Sequence, residues 1–278
     1  ILKGRENAKA AQSVCFDRVE NYIKYGPVNP ATNILSNKEI EALTSQQLVD
    51  KIKEVFSYKH IALFYGPASE KDFLASFSEF HKVPEVLKPV PVNELIKEME
   101  VKEGRVFIAP YDAKQIYMAG YSNRGERYNP DNTPIIRLYN EYFGSGMNTI
   151  VFQEMREARG LAYSAWAGYT IPDRKEKTYS YGTYIATQND KMMDALKAFD
   201  QIINDMPKSE SAFKIAKDNL ISKLRTSRTI KDGVLFAFVR AREMGIDYDI
   251  NKMIFEKAMN LTLEDISNFQ QTFVKGRK

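Results

Sequence analysis

The feature that most restricts the fold is a pair of alternating segments, 161–171 and 178–187, joined by Pro172-Asp173-Arg174-Lys175-Glu176. Apolar and polar side chains alternate along both, the period of a half-buried strand, and the charged turn between them makes the pair a hairpin. Two shorter segments, 106–109 and 115–121, read as another strand pair around Pro110-Tyr111-Asp112. Two helices, 134–143 and 148–159, lie between the pairs. After the second pair the pattern is helical over about 190–206, 209–225 and 229–244, with two shorter pieces to the end. Strand pairs interrupted by helix pairs specify an α+β fold with a mostly antiparallel sheet and helices packed on one side.

The N-terminal part carries its own signals. Residues 3–25 read as one long helix stopped by Gly26-Pro27, followed by a loop rich in Pro and Asn up to Ser36. Thr44-Ser45-Gln46-Gln47 is a capping box, and Leu48, Ile52 and Val55/Phe56 keep helical spacing behind it. Residues 60–65 read as a strand stopped by Gly66-Pro67, and 69–80 as a further helix. Pro84, Pro89 and Pro91 mark 84–92 as a linker.

A faint internal repeat spans the linker. Leu43-Thr44 with Leu48 and Phe56 matches Leu261-Thr262 with Ile266 and Phe273, and Gly26 and Gly245 precede the two at nearly the same distance. The expected organisation is the C-terminal part of a preceding αβ unit (1–83), the linker (84–92) and a final αβ unit (93–278). A chance match of two helix starts is the alternative.

Composition narrows the partners. With 278 residues there is room for one large domain or two smaller ones, and 44% hydrophobic residues imply a packed core. Lys and Arg (40) nearly balance Asp and Glu (36), and the basic residues are scattered apart from the tail at 275–278, so nucleic acid is not expected as the main partner. The one cysteine, Cys15, excludes a disulfide within the chain; apolar neighbours at helical spacing suggest a buried structural thiol. No apolar run reaches membrane-spanning length, so no membrane span is expected. The chain opens on Ile1 with no signal peptide, which suggests a fragment or a processed product and leaves cytoplasm and periplasm both open.

Self-contained catalytic chemistry is missing. The two histidines, His60 and His81, are 21 residues apart and form neither H-E-x-x-H nor H-x-x-E-H. His81 and Glu85 have helical spacing, but Pro84 between them breaks the helix. His60, at the start of a strand, reads as structural or exposed. Gly144-Ser145-Gly146 is too short for a phosphate loop, and no G-x-S-x-G occurs.

The remaining candidate is the 148–159 helix with the strand after it. Met147, Val151 and Met155 fall on one face, with Ile150 and Ala158 nearby, and that face reads as core. Arg156 lies beside it, while Arg159 and Gln153 can point to solvent. Gly160 is placed for a left-handed C-terminal cap, after which the chain reverses into a strand. Regular alternation there puts Leu161, Tyr163, Ala165 and Ala167 on one face. The tight cap brings Arg156 close to Tyr163. Taken alone, the two residues are either a solvated arginine near a helix C-terminus beside an interfacial tyrosine, or a pair that holds a ligand.

The stretch FGSGMNTIVFQEMREARGLAYSAWA, 143–167, resembles the segment F-G-G-G-x-S-S-R-L-F-Q-E-(I/L)-R-E-x-x-G-L-A-Y-S of the pitrilysin/insulinase family of zinc metallopeptidases, the inverzincins. The match falls at Phe143, Gly144, Gly146, Phe152, Gln153, Glu154, Arg156, Glu157, Gly160, Leu161, Ala162, Tyr163 and Ser164. The resemblance implies repeated αβ units arranged as two halves around a chamber. One half carries H-x-x-E-H and a downstream Glu; this chain is similar to the other, zinc-free C-terminal half. It further implies that Arg156 and Tyr163 act catalytically, holding the substrate backbone near the scissile bond. Phe143, Gly144, Gly146, Leu161 and Ala162 would be the substrate-binding positions beside them.

By the same resemblance, zinc is the cofactor of the complete enzyme and this chain binds none. Its partners would be a peptide substrate and a catalytic zinc-binding half, in the same polypeptide or a partner subunit, and the chain alone would be inactive. The edge at 161–166 would accept an extended peptide by strand addition. One departure is Asn148-Thr149-Ile150-Val151 where the family often has S-S-R-L; it removes a basic residue near the chamber and leaves substrate preference open.

Overall fold

Five helices precede the sheet in the computed structural model, which describes residues 1–92, 95–144 and 146–277. They are α1 (Leu2–Ala8), α2 (Gln12–Tyr25), α3 (Asn37–Glu41), α4 (Ser45–Val55) and α5 (Glu70–Phe80). The expected single helix over 3–25 is thus two. The break falls at Lys9–Ala11, and the Cys15 thiol donates to the Lys9 carbonyl that the interrupted ladder leaves free (3.4 Å). Cys15 is half-buried, not buried as the sequence suggests.

Strands β1 (Gln115–Ser122), β2 (Ser164–Thr170) and β3 (Ser180–Gln188) form one antiparallel sheet in the order β1-β3-β2. The hairpin of β2 and β3 is the one the alternation predicts, and β3 is the central strand. Two expected strands do not form. Residues 106–109 form no strand and pair with no other strand among the described residues. Residues 60–65 follow an isolated parallel bridge, Tyr58 to Lys88, and Ile61 is 79% exposed. Their composition favours extension, but a strand needs a neighbour to take its backbone hydrogen bonds.

Around the sheet run α6 (Thr133–Tyr139), α7 (Ile150–Phe152), α8 (Met192–Asn204), α9 (Glu210–Thr226), α10 (Gly233–Glu243), α11 (Ile250–Ala258) and α12 (Leu263–Phe269). Three of them continue as wider π-helical turns, α6 over Asn140–Gly144, α7 over Gln153–Ala158 and α12 over Gln270–Val274. The fold is α+β. The buried hydrophobic core of the described residues lies wholly within 136–274.

Register assigns the two faces. Ala165 faces Ile185, which faces Met118, and Tyr169 faces Tyr181; these side chains point into the core beneath α6, α8 and α12. Tyr117, Tyr184 and Trp166 lie on the opposite face. There α2 lays Phe16 edge-on against Tyr117 (5.6 Å between centroids) and Tyr184 (6.0 Å), so helices flank both faces of the sheet, not one side as the sequence suggests.

Tyrosines give the core a polar seam. Tyr139 Oη sits 3.0 Å from Tyr181 Oη and donates to Gln270 Oε1 at 2.7 Å. The Arg277 guanidinium lies 4.7 Å from the Tyr169 ring centroid and pairs with Glu126 at 2.7 Å. Burial lifts the Tyr139, Tyr169 and Tyr181 hydroxyls above the ordinary tyrosine range and pushes Tyr179 up to about 12.

The two repeat copies agree locally and differ in burial. Thr44 and Thr262 both close capping boxes, with Gln47 and Asp265, and Gly26 and Gly245 both have left-handed φ (83° and 69°). Ile266 is fully buried, whereas its counterpart Leu48 is exposed.

Among the glycines, Gly144 leaves the least room for a side chain. A Cβ there would stand 2.1 Å from the carbonyl oxygen of Ala167 in β2. Gly144→Ala is therefore expected to lower stability by about 1–3 kcal/mol or more. Gly4→Ala, in α1 with open space around it, should be neutral or raise stability by up to about 1 kcal/mol; thermal melts of the two variants check the contrast. A second outcome concerns pH. Unfolded tyrosines lose their protons near about 10 while the buried ones keep theirs, so above that pH the unfolded state binds fewer protons and stability falls as pH rises. The urea midpoint should drop between about pH 8 and about pH 11, with the tyrosinate absorbance of the core residues appearing only on unfolding.

Candidate functional site

The site is built on the reversal at 146–163. Gly146 turns the chain with φ 124°, and Thr149 caps α7, accepting from Phe152 N while its hydroxyl donates to Gly146 O (2.8 Å). Ile150, Val151 and Met155 pack into the core as expected, but Met147 is 73% exposed because it precedes the helix. Ala158 is exposed as well. At the far end Gly160 takes φ 56°, and the Met155 carbonyl accepts from both Leu161 N (2.9 Å) and Ala162 N (3.1 Å). Lys191 Nζ holds Gly160 O at 3.1 Å, and Thr187 Oγ1 holds Leu161 O at 2.6 Å.

Alternation fails after this cap. Ala162 is buried, Tyr163 is 71% exposed, and Ala165 is buried again. Tyr163 N donates to Ala186 O (2.8 Å), yet Ala186 is also the register partner of Ser164. Two consecutive residues thus meet one residue of β3, as in a β-bulge, and the side-chain parity flips. Tyr163 therefore does not share the face of Ala165 and Ala167; it points outward.

That outward turn puts it beside Arg156. The Arg156 guanidinium carbon lies 5.0 Å from the Phe152 ring centroid and 5.8 Å from that of Tyr163. Its nearest carboxylate is Glu157, 3.6 Å away, and it makes no hydrogen bond among the described residues. Arg159 on the same helix is engaged, with Gln201 at 3.0 Å and Glu154 at 3.3 Å, and Gln153 donates to Met147 O at 2.6 Å. Both are exposed, as the sequence suggests, with their polar groups engaged by these neighbours. Arg156 keeps its planar fork of donors unspent, its side chain 47% exposed.

The other implied binding positions sit behind this pair. Phe143 is fully buried, and Gly144 faces the Ala167 carbonyl. Any part they play in holding a peptide runs through the backbone they support. Asn140 covers the outer edge of β2 with its side-chain amide, donating to Tyr169 O (2.9 Å) and accepting from Tyr169 N (3.0 Å). Strand addition is blocked there; the stretch 161–166 lies outside the block. A cavity of about 210 Å³ opens beside Leu161, Ala162 and Tyr163, walled by Gln115, Gln188 and Lys191. The sequence reading misses these three wall residues and Asn140. Only the pairing of Gln115 with Gln188 brings the first two together.

A catalytic zinc needs about three protein ligands. No group of three or more His, Cys, Asp or Glu side chains is placed to hold a metal among the described residues, and no described helix is long and apolar enough to cross a membrane.

The sequence of residues 42–220 matches the Peptidase M16 inactive domain family. The chain belongs to this family. It is the zinc-free half-type domain of the pitrilysin/insulinase peptidases, consistent with the motif at 143–164. Among solved structures it resembles a peptidase M16 inactive domain from Pseudomonas fluorescens (TM-score 0.64, 16% identity), covering 97% of this chain and 64% of that one. It also resembles the periplasmic protease PqqL from Escherichia coli (TM-score 0.66, 11% identity), covering 97% of this chain and 30% of that one. A chain of complex III2 from Candida albicans is similar too (TM-score 0.59, 12% identity), with 96% of this chain and 65% of that one covered. At these identities the likeness is one of fold. The chain thus spans less than two thirds of the length of each of these three. No curated protein sequence matches it.

The cap at Gly160 sets the separation of Arg156 and Tyr163. Apart from its chain neighbours, no heavy atom lies within 4 Å of where a Cβ would sit, so a substitution there is opposed by φ alone. Gly160→Val is expected to cost about 1–2 kcal/mol and Gly160→Asn less, since Asn tolerates left-handed backbone; urea denaturation of both variants measures the difference.

Proposed function

We propose that this chain is the substrate-holding, zinc-free half of a zinc metalloendopeptidase, in which Arg156 and Tyr163 hold the carbonyl of the peptide bond to be cut. The observation that carries this reading is the Arg156 guanidinium, without a hydrogen bond among the described residues, lying next to the exposed phenol of Tyr163. A peptide carbonyl under attack gathers negative charge on its oxygen. A fixed guanidinium and a phenolic O–H aimed at that oxygen favour the transition state over the ground state. The Phe152 and Tyr163 rings orient the guanidinium without using its donors. Gly144, Gly146 and Phe143 fix the backbone behind the site, and Leu161 and Ala162 border the cavity where substrate would lie. Zinc, supplied by the catalytic half in the same polypeptide or in a partner, provides the activated water. On this reading residues 1–83 are the end of a preceding αβ unit and 93–278 a final one.

A second reading, a non-catalytic scaffold, draws support from the fold likeness to a chain of complex III2. The two diverge in the complete protein with its catalytic half present. Arg156→Ala and Tyr163→Phe should each lower kcat by about a hundredfold or more while zinc content stays constant. Wild-type turnover in both variants would overturn the peptide-holding role, and a complete protein that hydrolyses no peptide would favour the scaffold.

A further inference from the structure

The only two histidines of the sequence, 21 residues apart, meet ring to ring, with His60 Nε2 and His81 Nε2 2.8 Å apart. His60 Nδ1 lies 2.7 Å from the carbonyl oxygen of Tyr58. A carbonyl only accepts, so Nδ1 carries the proton and neutral His60 presents a lone pair at Nε2. Metal-binding imidazoles are oriented in this way, one ring N–H given to a backbone carbonyl and the other nitrogen left basic. His81 is held independently. Its backbone N donates to Phe77 O at 2.7 Å at the end of α5, its ring stacks on Phe77 with centroids 4.4 Å apart, and Phe56 meets it edge-on at 5.9 Å.

We propose that His60 and His81 form a two-histidine site for a divalent transition metal of the Ni²⁺ or Cu²⁺ type, its remaining positions filled by water. Imidazole nitrogens suit these ions, and tetragonal coordination places two adjacent ligands at right angles. At a metal–nitrogen distance of about 2.0–2.1 Å, such a pair stands about 2.9 Å apart, against about 3.3 Å for a tetrahedral ion. The observed 2.8 Å matches the right-angled pair in distance, and each ring would turn to aim its Nε2 lone pair at the metal in place of the other nitrogen. Binding would tie the segment after Tyr58 to the end of α5. The site does not depend on the peptide-holding role of Arg156 and Tyr163.

The competing account is a plain hydrogen bond, His81 Nε2–H into His60 Nε2, with no affinity for metal. Titration of the 278-residue chain with Ni²⁺ separates the two. Calorimetry should show one strong site per chain, weakened about tenfold or more by His60→Ala and by His81→Ala. With two histidines in the sequence, the wild-type NMR spectrum gives a check that needs no variant: paramagnetic Ni²⁺ should broaden both imidazole signals together at one equivalent. Absence of binding, broadening of neither or only one imidazole, or affinity that survives both substitutions would overturn the site.

Discussion

The carbonyl of Ala167 and the backbone at Gly144 approach so closely that no β-carbon fits between them. This contact sets how far the extension of α6 sits from β2, and much of the fold depends on it. Asn140, one turn earlier, reaches Tyr169 from the same helix and uses both backbone groups that an edge strand would otherwise expose. Tyr139 beside it joins the seam of Tyr181 and Gln270. A helix held at that distance fixes where the next one starts, and with it the reversal at Gly160. The F-G-x-G signature is explained here by packing: its phenylalanine fills the core and its first glycine admits a backbone.

The reversal creates the contrast between two arginines three residues apart. Arg159 is tied to Glu154 and Gln201, while Arg156 is held between aromatic faces with its donors free. An exposed ion pair contributes little to stability, about 0–1 kcal/mol, so the difference between them is one of availability. The one-residue slip between Tyr163 and Ala186 turns the phenol out beside the free guanidinium. Without the slip, regular alternation would bury Tyr163 with Ala165.

The N-terminal part follows local rules with less tertiary support. The Thr44 capping box forms where the sequence places it, and Ser36 and Ser69 add caps to α3 and α5 that the sequence reading does not single out. Yet Leu48, Ile52 and Val55, the helical stripe that the sequence marks as apolar, stay exposed, and 60–65 forms no strand among the described residues. The stripe is read correctly as helix; its burial depends on a surface to pack against, which periodicity does not specify.

By itself the sequence determined the elements whose causes lie within a few residues: the capping boxes, the left-handed glycines, the β2–β3 hairpin, the α+β class and the R-x-x-x-G-L-x-Y segment with its family. Tertiary structure decided what depends on partners far along the chain. The parity flip at Tyr163 needs β3, the edge cover by Asn140 needs a strand almost thirty residues later, and the walls Gln115, Gln188 and Lys191 converge only through register. The two histidines, unremarkable as an H-x₂₀-H spacing, meet because a bridge at Tyr58 and the end of α5 place their rings together. Dihedral preferences and caps act over one or two turns, whereas register and burial are chosen by the free energy of the whole packed arrangement.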